Sequence, residues 1–233
     1  AGCKLALAIA TNTAVLCMLY GGMMGNYDAL YLPMMVLGYV FSAPFFVLTV
    51  RTSQKYGQKA SLMRYVAVAF VMYIGVLVLL LLWNPENPAL NLALFSNEGG
   101  FHLTLNLYTI LFIIFFGVGY GAYYATADMP IPMVADCSDY ETYRSGNYVP
   151  GIIGTLFSLV DKLVSSLSST IVGLAAAAIG FTTTLPGGDD PFRPGMNWVV
   201  IILFCIVPMV AWGATLIAMK GYSLTGDKMK EIQ

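Results

Sequence analysis

Apolar residues occur along this chain in six stretches, each long enough to cross the hydrocarbon core of a bilayer, which takes about 20 residues. Shorter segments rich in glycine, proline and charged residues separate them. This pattern predicts an all-α membrane protein, a single domain over residues 1–233 with six transmembrane helices. The predicted spans cover about residues 5–25, 30–50, 62–83, 103–127, 150–180 and 197–219.

Composition supports the same class of protein. Hydrophobic residues make up 58% of the chain and charged residues 10%, and the mean hydropathy is +0.76. These values lie far outside those of a soluble domain of this length, so we expect an integral membrane protein in contact with the lipid bilayer. The net charge of −1 gives no indication of a nucleic-acid partner.

The positions of Lys and Arg predict the orientation in the membrane. The segment 51–64 holds four Lys or Arg residues and no acid, whereas the segment 83–102 holds Glu86 and Glu98 and no Lys or Arg. Because cytoplasmic loops are enriched in Lys and Arg, we assign segment 51–64 to the cytoplasm. Both termini then lie in the cytoplasm of a cell-membrane protein. The chain begins with alanine almost directly at the first span, so we expect it to be part of a longer protein.

A polar stripe follows one face of the fifth span. At 100° per residue its members fall close to one line, and Lys162 is among them. Asp161 lies about 100° away, so it does not form an intrahelical pair with Lys162. The stripe consists of Thr155, Ser158, Lys162, Ser166, Ser169 and Gly173.

The stripe has three possible explanations. Serines and glycine allow close helix packing in membranes. Alternatively, the long stem of Lys162 reaches the cytoplasmic surface, if the span enters the bilayer as late as Leu156. In the third, which we favour, the stripe lines a water-filled cavity where Lys162 binds an anion, sugar hydroxyls or a carboxylate involved in cation coupling.

Asn12 is a second polar residue in an apolar span. Its amide needs a partner in hydrocarbon, so we expect it either to face a cavity or to join two helices. The four cysteines form no CxxC pair, and the sequence contains no metal-ligand cluster. A Ser/His/Asp set and paired intramembrane carboxylates are also absent from the sequence, so we expect no enzyme, no cofactor and no metal site.

The segment before the fifth span, MVADCSDYETYRSGNYVPG, resembles a loop of the glycoside-pentoside-hexuronide:cation symporters of the major facilitator superfamily. The similarity lies in an alanine-aspartate pair at Asp136, in Asp139-Tyr140 three residues later, and in a glycine that leads into the next helix. Lys162 follows Asp136 by 26 residues, which is similar to the family spacing. Segment 51–64 resembles the short basic loop of the family, and the approach GVGYGAYYATADMPIPMVAD is also similar.

This resemblance implies that the six spans are the C-terminal six-helix half of a twelve-helix transporter, with the N-terminal half missing. The implied function is symport of a sugar or glycoside with a cation, Na⁺ or H⁺, by alternating access. Two positions depart from the family pattern: Ala127 stands where a family member has tryptophan, and the usual arginine is missing near Tyr148. The implied substrate-binding residues are Lys162, Ser158, Asn12, Tyr120 and Tyr124.

A second group of residues is implied to control the cytoplasmic side. Asp136 and Asp139 lie between two spans and can cap helices or pair with Arg51 and Arg64 across the bundle, with Tyr140 beside them. Contacts that form in one state and break in the other would bias the conformation. The simpler alternative is a solvated acidic loop. A different function also remains open: a lipid-handling or structural membrane protein whose Lys162 stripe binds a headgroup.

Overall fold

The structure is a computed structural model that describes residues 2–92, 94–96, 102–103 and 105–232. Glu98, which contributes to the predicted orientation, lies outside the described residues. The α-helices, in chain order, are α1 (Gly2–Ala10), α2 (Thr13–Leu16), α3 (Tyr27–Tyr56), α4 (Gln58–Leu82), α5 (Leu107–Thr126), α6 (Pro130–Ser145), α7 (Pro150–Ala178), α8 (Met196–Val200), α9 (Val207–Lys220) and α10 (Gly226–Ile232).

Other elements extend or connect these helices. Two π-helical stretches continue α2 and join α8 to α9, and a short 3₁₀ turn follows α4. A pair of two-residue antiparallel strands precedes α5. The bounds are Cys17–Met23 and Ile201–Ile206 for the π-helices, Pro88–Leu90 for the 3₁₀ turn, and Phe95–Ser96 and His102–Leu103 for the strands.

The described helices confirm the predicted all-α membrane fold. Five are long and apolar enough to cross a bilayer, counting α5 with α6 as one and α8 with α9 as one. The sixth span is the pair Gly2–Ala10 and Thr13–Met23, which is bent by 49°. The predicted 5–25 span is therefore broken near its middle, a feature that hydropathy does not detect. α3 extends beyond the predicted 30–50 because its polar last turns, through Tyr56, remain helical.

The segment that carries Asp136 and Asp139 is a helix, which corrects the expectation of a loop. Pro130 occupies the first turn of α6, where its missing N–H leaves no hydrogen bond unmade. Gly146 ends the helix with φ +73°, a left-handed conformation that favours glycine. The helix buries only Met133 and Ser138, so these two side chains anchor a mainly polar helix to the rest of the protein.

One end of the bundle collects the basic segment and both ends of the described chain. Gly2, Leu62 and Met219 line the same apolar cavity there. Lys59 donates a hydrogen bond to the carbonyl of Tyr222, just beyond α9. We call this the basic end: the end that carries residues 51–64, Gly2 and Met219.

The glycines of the GVGYG run allow α5 to pack closely against neighbouring helices. A Cβ atom at Gly119 would lie 2.8 Å from the ring of Tyr73 on α4. At Gly121 it would lie 2.7 Å from the backbone oxygen of Phe41 on α3, which cannot move as a side chain can. The glycines thus let α5 approach two neighbouring helices.

Replacement of Gly121 tests this packing. We expect Gly121→Ala to destabilise the protein by about 1–3 kcal/mol, because the methyl group meets backbone and forces the helices apart. Thermal unfolding in detergent measures the effect as a lower Tm. Gly213→Ala is the matched control, since a Cβ there meets only a ring carbon of Phe70 at 3.9 Å. Equal Tm values for the two variants would contradict the packing role.

Candidate functional site

A cavity of about 370 Å³ lies among the first span, α3 and α5, with one contact from the last span. Its size falls within the range of small-ligand sites. Six tyrosines dominate its lining, with few other polar side chains. The lining residues are Leu7, Ala10, Thr11, Leu16, Tyr20, Tyr31, Met34, Met35, Tyr39, Phe116, Tyr120, Tyr123, Tyr124 and Phe204.

Two of the predicted substrate-binding residues, Tyr120 and Tyr124, form one wall of this cavity. They are four residues apart on α5, so their side chains lie on the same face of the helix, about one turn apart. Their rings stack with centroids 5.3 Å apart and an interplanar angle of 11°. Gly38 on α3 makes room for this wall, because a Cβ there would lie 2.9 Å from the Tyr120 ring.

The opposite wall comes from α3, which sequence reasoning did not single out. Tyr31, Met35 and Tyr39 recur every four residues and present one face to the cavity. The rings of Tyr39 and Tyr124 pack edge to face, with centroids 5.7 Å apart. The two walls are therefore in contact at this point. The four-residue spacing of these aromatic and methionine side chains was the signal that could have identified them.

The cavity lies beside the break in the first span. Thr11 lines it, and the Thr11 hydroxyl donates to the carbonyl of Leu7 at 2.7 Å. The Asn12 side-chain oxygen accepts a hydrogen bond from the N–H of Ala14 at 3.0 Å and so caps α2. Asn12 thus binds the backbone of its own helix and is not among the lining residues. Broken helices of this kind form substrate sites in many transporters.

The Lys162 stripe lies on a different surface from the aromatic cavity. α7 buries Val164, Ser168, Val172 and Ala176. Lys162 lies two residues from Val164, about 200° around the helix, and is exposed together with Ser158. Lys162 has no hydrogen bond or ion pair within the part of the chain that the structure describes. The six-helix bundle therefore leaves the stripe uncovered.

Asp161 points the other way and joins α7 to the first helix. Its carboxylate lies 3.5 Å from the Lys4 ammonium. This ion pair confirms that Asp161 and Lys162 face different directions. The pair also places Asp161, and with it the adjacent backbone of Lys162, within reach of the Lys4 side chain. Phe157, five residues earlier, lines the apolar cavity at the basic end with Leu62 and Met219. Lys162 is thus about 7–8 Å inward of that level at 1.5 Å per residue.

The predicted control residues gather at the basic end, but with different partners from those expected. Arg51 and Arg64 form no ion pair with the described residues, and Arg64 lies over the Tyr56 ring at 5.3 Å. Instead, α10 supplies the cations: Lys228 lies 5.0 Å from the centre of the Tyr140 ring. Asp136 shares a small polar cavity of about 180 Å³ with Lys230.

Tyr222 fixes the chain between α9 and α10 against the acidic helix. The Tyr222 hydroxyl lies 3.8 Å from the Cys137 sulfur on α6. Burial raises the pKa of the Tyr222 phenol above its usual range, so the group remains protonated at neutral pH. No group of three or more His, Cys, Asp or Glu residues suited to a metal occurs among the described residues.

Comparison with known proteins gives one family. A family model described as MFS/sugar transport protein matches residues 5–226, nearly the whole chain. No solved structure matches the chain.

Three curated proteins are similar over part of their length. An uncharacterized 29.9 kDa protein of Pseudescherichia vulneris is 32% identical over 47% of this chain and 39% of its own. A protein of Escherichia coli named "Putative glycoside/cation symporter YagG" is 26% identical over 43% of this chain and 21% of its own. The uncharacterized symporter sll1374 of Synechocystis is 31% identical over 46% of this chain and 18% of its own. The matched stretch therefore spans less than half of each relative.

The cap at the break can be tested by substitution. We expect Asn12→Ala to lower the stability by about 0.5–2 kcal/mol, because the N–H of Ala14 in α2 loses its acceptor. Asn12→Ser is the matched control, since serine caps helices nearly as well. Thermal unfolding measures both variants. If the serine variant is as unstable as the alanine variant, Asn12 does not act through its cap.

Proposed function

Because this chain belongs to the MFS/sugar transport protein family, we propose that it forms the C-terminal six-helix half of a cation-coupled sugar or glycoside symporter. Transport proceeds by alternating access, with the substrate held between the two halves near the middle of the membrane. The basic end faces the cytoplasm of a cell-membrane protein, since positive loops remain on that side. The coupling ion is Na⁺ or H⁺.

The aromatic cavity at the helix break is the observation that carries this proposal. A sugar ring has apolar C–H faces and a rim of hydroxyl groups. Stacked rings such as those of Tyr120 and Tyr124 match the faces, and tyrosine hydroxyls match the rim. A metabolite with a large apolar body would not need so many hydroxyl-bearing rings. The name of the Escherichia coli relative, a putative glycoside/cation symporter, supports the same substrate class, and the name of the Synechocystis relative supports symport.

The uncovered stripe on α7 supports the proposal that a second half is needed. Ser158 and Lys162 face away from the six helices, where a bilayer alone would leave the ammonium without a partner. We assign this face to the interface with the N-terminal half. There Lys162 binds substrate hydroxyls or a carboxylate of the cation site.

The contacts at the basic end provide the conformational control. Asp136 and Tyr140 on α6 lie beside Lys230 and Lys228 of α10, and Asp139 belongs to the same helix. Arg51 and Arg64 belong to the neighbouring basic segment. When the cytoplasmic side closes, the arginines gain acidic partners from the second half. When it opens, these contacts break and the equilibrium shifts.

Uptake by the complete natural protein tests the aromatic site. Membrane vesicles are offered labelled hexoses, galactosides, pentosides and hexuronides under an imposed Na⁺ or H⁺ gradient. We expect accumulation of one class, and a fall of about tenfold or more in apparent affinity for Tyr120→Leu, which corresponds to about 1.4 kcal/mol. Tyr143→Leu, an exposed tyrosine on α6, is the control. An unchanged apparent affinity in the Tyr120 variant would show that the cavity does not bind the transported substrate.

Substitution of Lys162 separates a role in transport from a lysine that only reaches the membrane surface and from binding of a lipid headgroup. We expect Lys162→Ala to abolish gradient-driven uptake, because neither a serine nor water replaces the positive charge at the interface. Lys220→Ala, at the basic end of α9, is the control. Normal uptake by Lys162→Ala would show that the lysine only reaches the membrane surface. Loss of binding to anionic lipid vesicles without any sugar uptake in the native protein would favour the lipid-handling function.

A further inference from the structure

Three buried aromatic side chains, each with a polar atom that lacks a hydrogen-bond partner, meet in the centre of the bundle. The polar atoms are the hydroxyls of Tyr73 and Tyr123 and the indole nitrogen of Trp212. The exposed fractions of the three side chains are 0%, 2% and 0%. They belong to α4, α5 and α9, so three different helices contribute one group each.

The three side chains form one cluster. The ring centroids are 5.8 Å apart for Tyr73 and Tyr123, 4.9 Å for Tyr73 and Trp212, and 5.2 Å for Tyr123 and Trp212. The two tyrosine hydroxyls lie close to each other, but their contact does not have the geometry of a hydrogen bond. Each of the three groups has therefore lost its water without gaining a protein partner.

Such a group carries the full cost of desolvation, and native proteins satisfy nearly all buried polar groups with protein atoms or ordered water. A direct bond between the two tyrosines would still leave the Trp212 N–H without an acceptor. The N–H can only donate, whereas each hydroxyl can donate and accept. A single water accepts from the indole and exchanges one hydrogen bond with each hydroxyl. Three bonds are the usual number for a buried water.

We propose that one structural water molecule bridges Tyr73, Tyr123 and Trp212 and ties α4, α5 and α9 together inside the membrane. Tyr123 also lines the aromatic cavity, which gives the water a route of entry. The water fixes the Tyr123 side chain at the back of that cavity. The proposal concerns the fold of this chain and holds whether or not the cavity binds a sugar.

Thermal unfolding of the full protein distinguishes a satisfied hydroxyl from an orphaned one. Removing a satisfied hydroxyl lowers the Tm, whereas removing an orphaned one leaves it unchanged or raises it. We expect Tyr73→Phe and Tyr123→Phe each to lower the Tm about as much as Tyr108→Phe. Tyr108 is the matched control, a buried tyrosine whose hydroxyl donates to the carbonyl of Leu79 at 2.8 Å. A Tm that rises or stays constant in the two cluster variants would overturn the proposal.

Double variants test whether the indole shares the water. We expect Tyr73→Phe and Trp212→Phe to be non-additive, because either change removes a partner of the same water. If the two tyrosines are coupled to each other but not to Trp212, they bond directly and no shared water exists.

A spectroscopic measurement on Trp212 itself tests the proposal without substituting any residue of the cluster. Trp83 and Trp198 lie outside the cluster, and they and every tryptophan in the rest of the full protein can be replaced by phenylalanine, which leaves Trp212 as the remaining tryptophan. Its ultraviolet resonance Raman spectrum should then show a hydrogen-bonded indole N–H. A spectrum of a free N–H would overturn the proposal.

Discussion

The hydrocarbon core of a bilayer offers no hydrogen-bond partners, and this constraint determines most of the local structure of the chain. Each polar group within a span must find a partner in the protein. Ser42 and Thr49 donate to carbonyls three residues earlier on α3, and the Thr52 and Tyr65 hydroxyls bond to each other at 2.9 Å. At the break in the first span, Asn12 performs the same task for the backbone. The cluster of Tyr73, Tyr123 and Trp212 is an exception, because its polar atoms have no hydrogen-bond partner among the protein atoms.

The same constraint explains why the bundle is uneven. The most apolar stretch of the α5–α6 span is 61% buried, whereas that of α7 is 17% buried and that of α3 is 22% buried. Lipid can cover exposed leucine and valine, but not an exposed lysine with serines in line above and below it. The uneven burial thus separates two kinds of outer surface. One is apolar and suits lipid, and the other, on α7, is polar and requires protein or water.

Sequence alone predicted the fold class and two residues of the cavity lining, and the features that it did not predict were missed for physical reasons. Length and hydropathy located the six spans because bilayer thickness imposes their size. Tyr120 and Tyr124 were identified from their place near the motif, and both line the cavity. The bend at Thr11 and Asn12 was missed because an average over an apolar stretch does not register backbone direction. α6 was missed because its low hydropathy resembles a loop, although Pro130 and Gly146 mark its ends.

The relation between Lys162 and the cavity was beyond sequence reasoning for a further reason. Helical periodicity gives the face on which a residue lies but not the neighbour that this face meets. In the structure the first span lies between the two features: Lys4 pairs with Asp161, and Thr11 of the same span lines the cavity.

Seven residues of helix separate Lys4 from Thr11, which is about 10 Å along the axis. Lys162 therefore lies nearer the basic end than the tyrosines do. Leu7, which lines the cavity, is one turn from Lys4, and Ala127, one turn beyond Tyr124, lines a small cavity together with Lys4 and Asp161. The Tyr124 end of the aromatic cavity is therefore close to the Lys4–Asp161 pair, whereas Lys162 faces away from it. Because the first span lies between them, a ligand that contacts both Lys162 and the tyrosines must extend past that span to the uncovered face of α7.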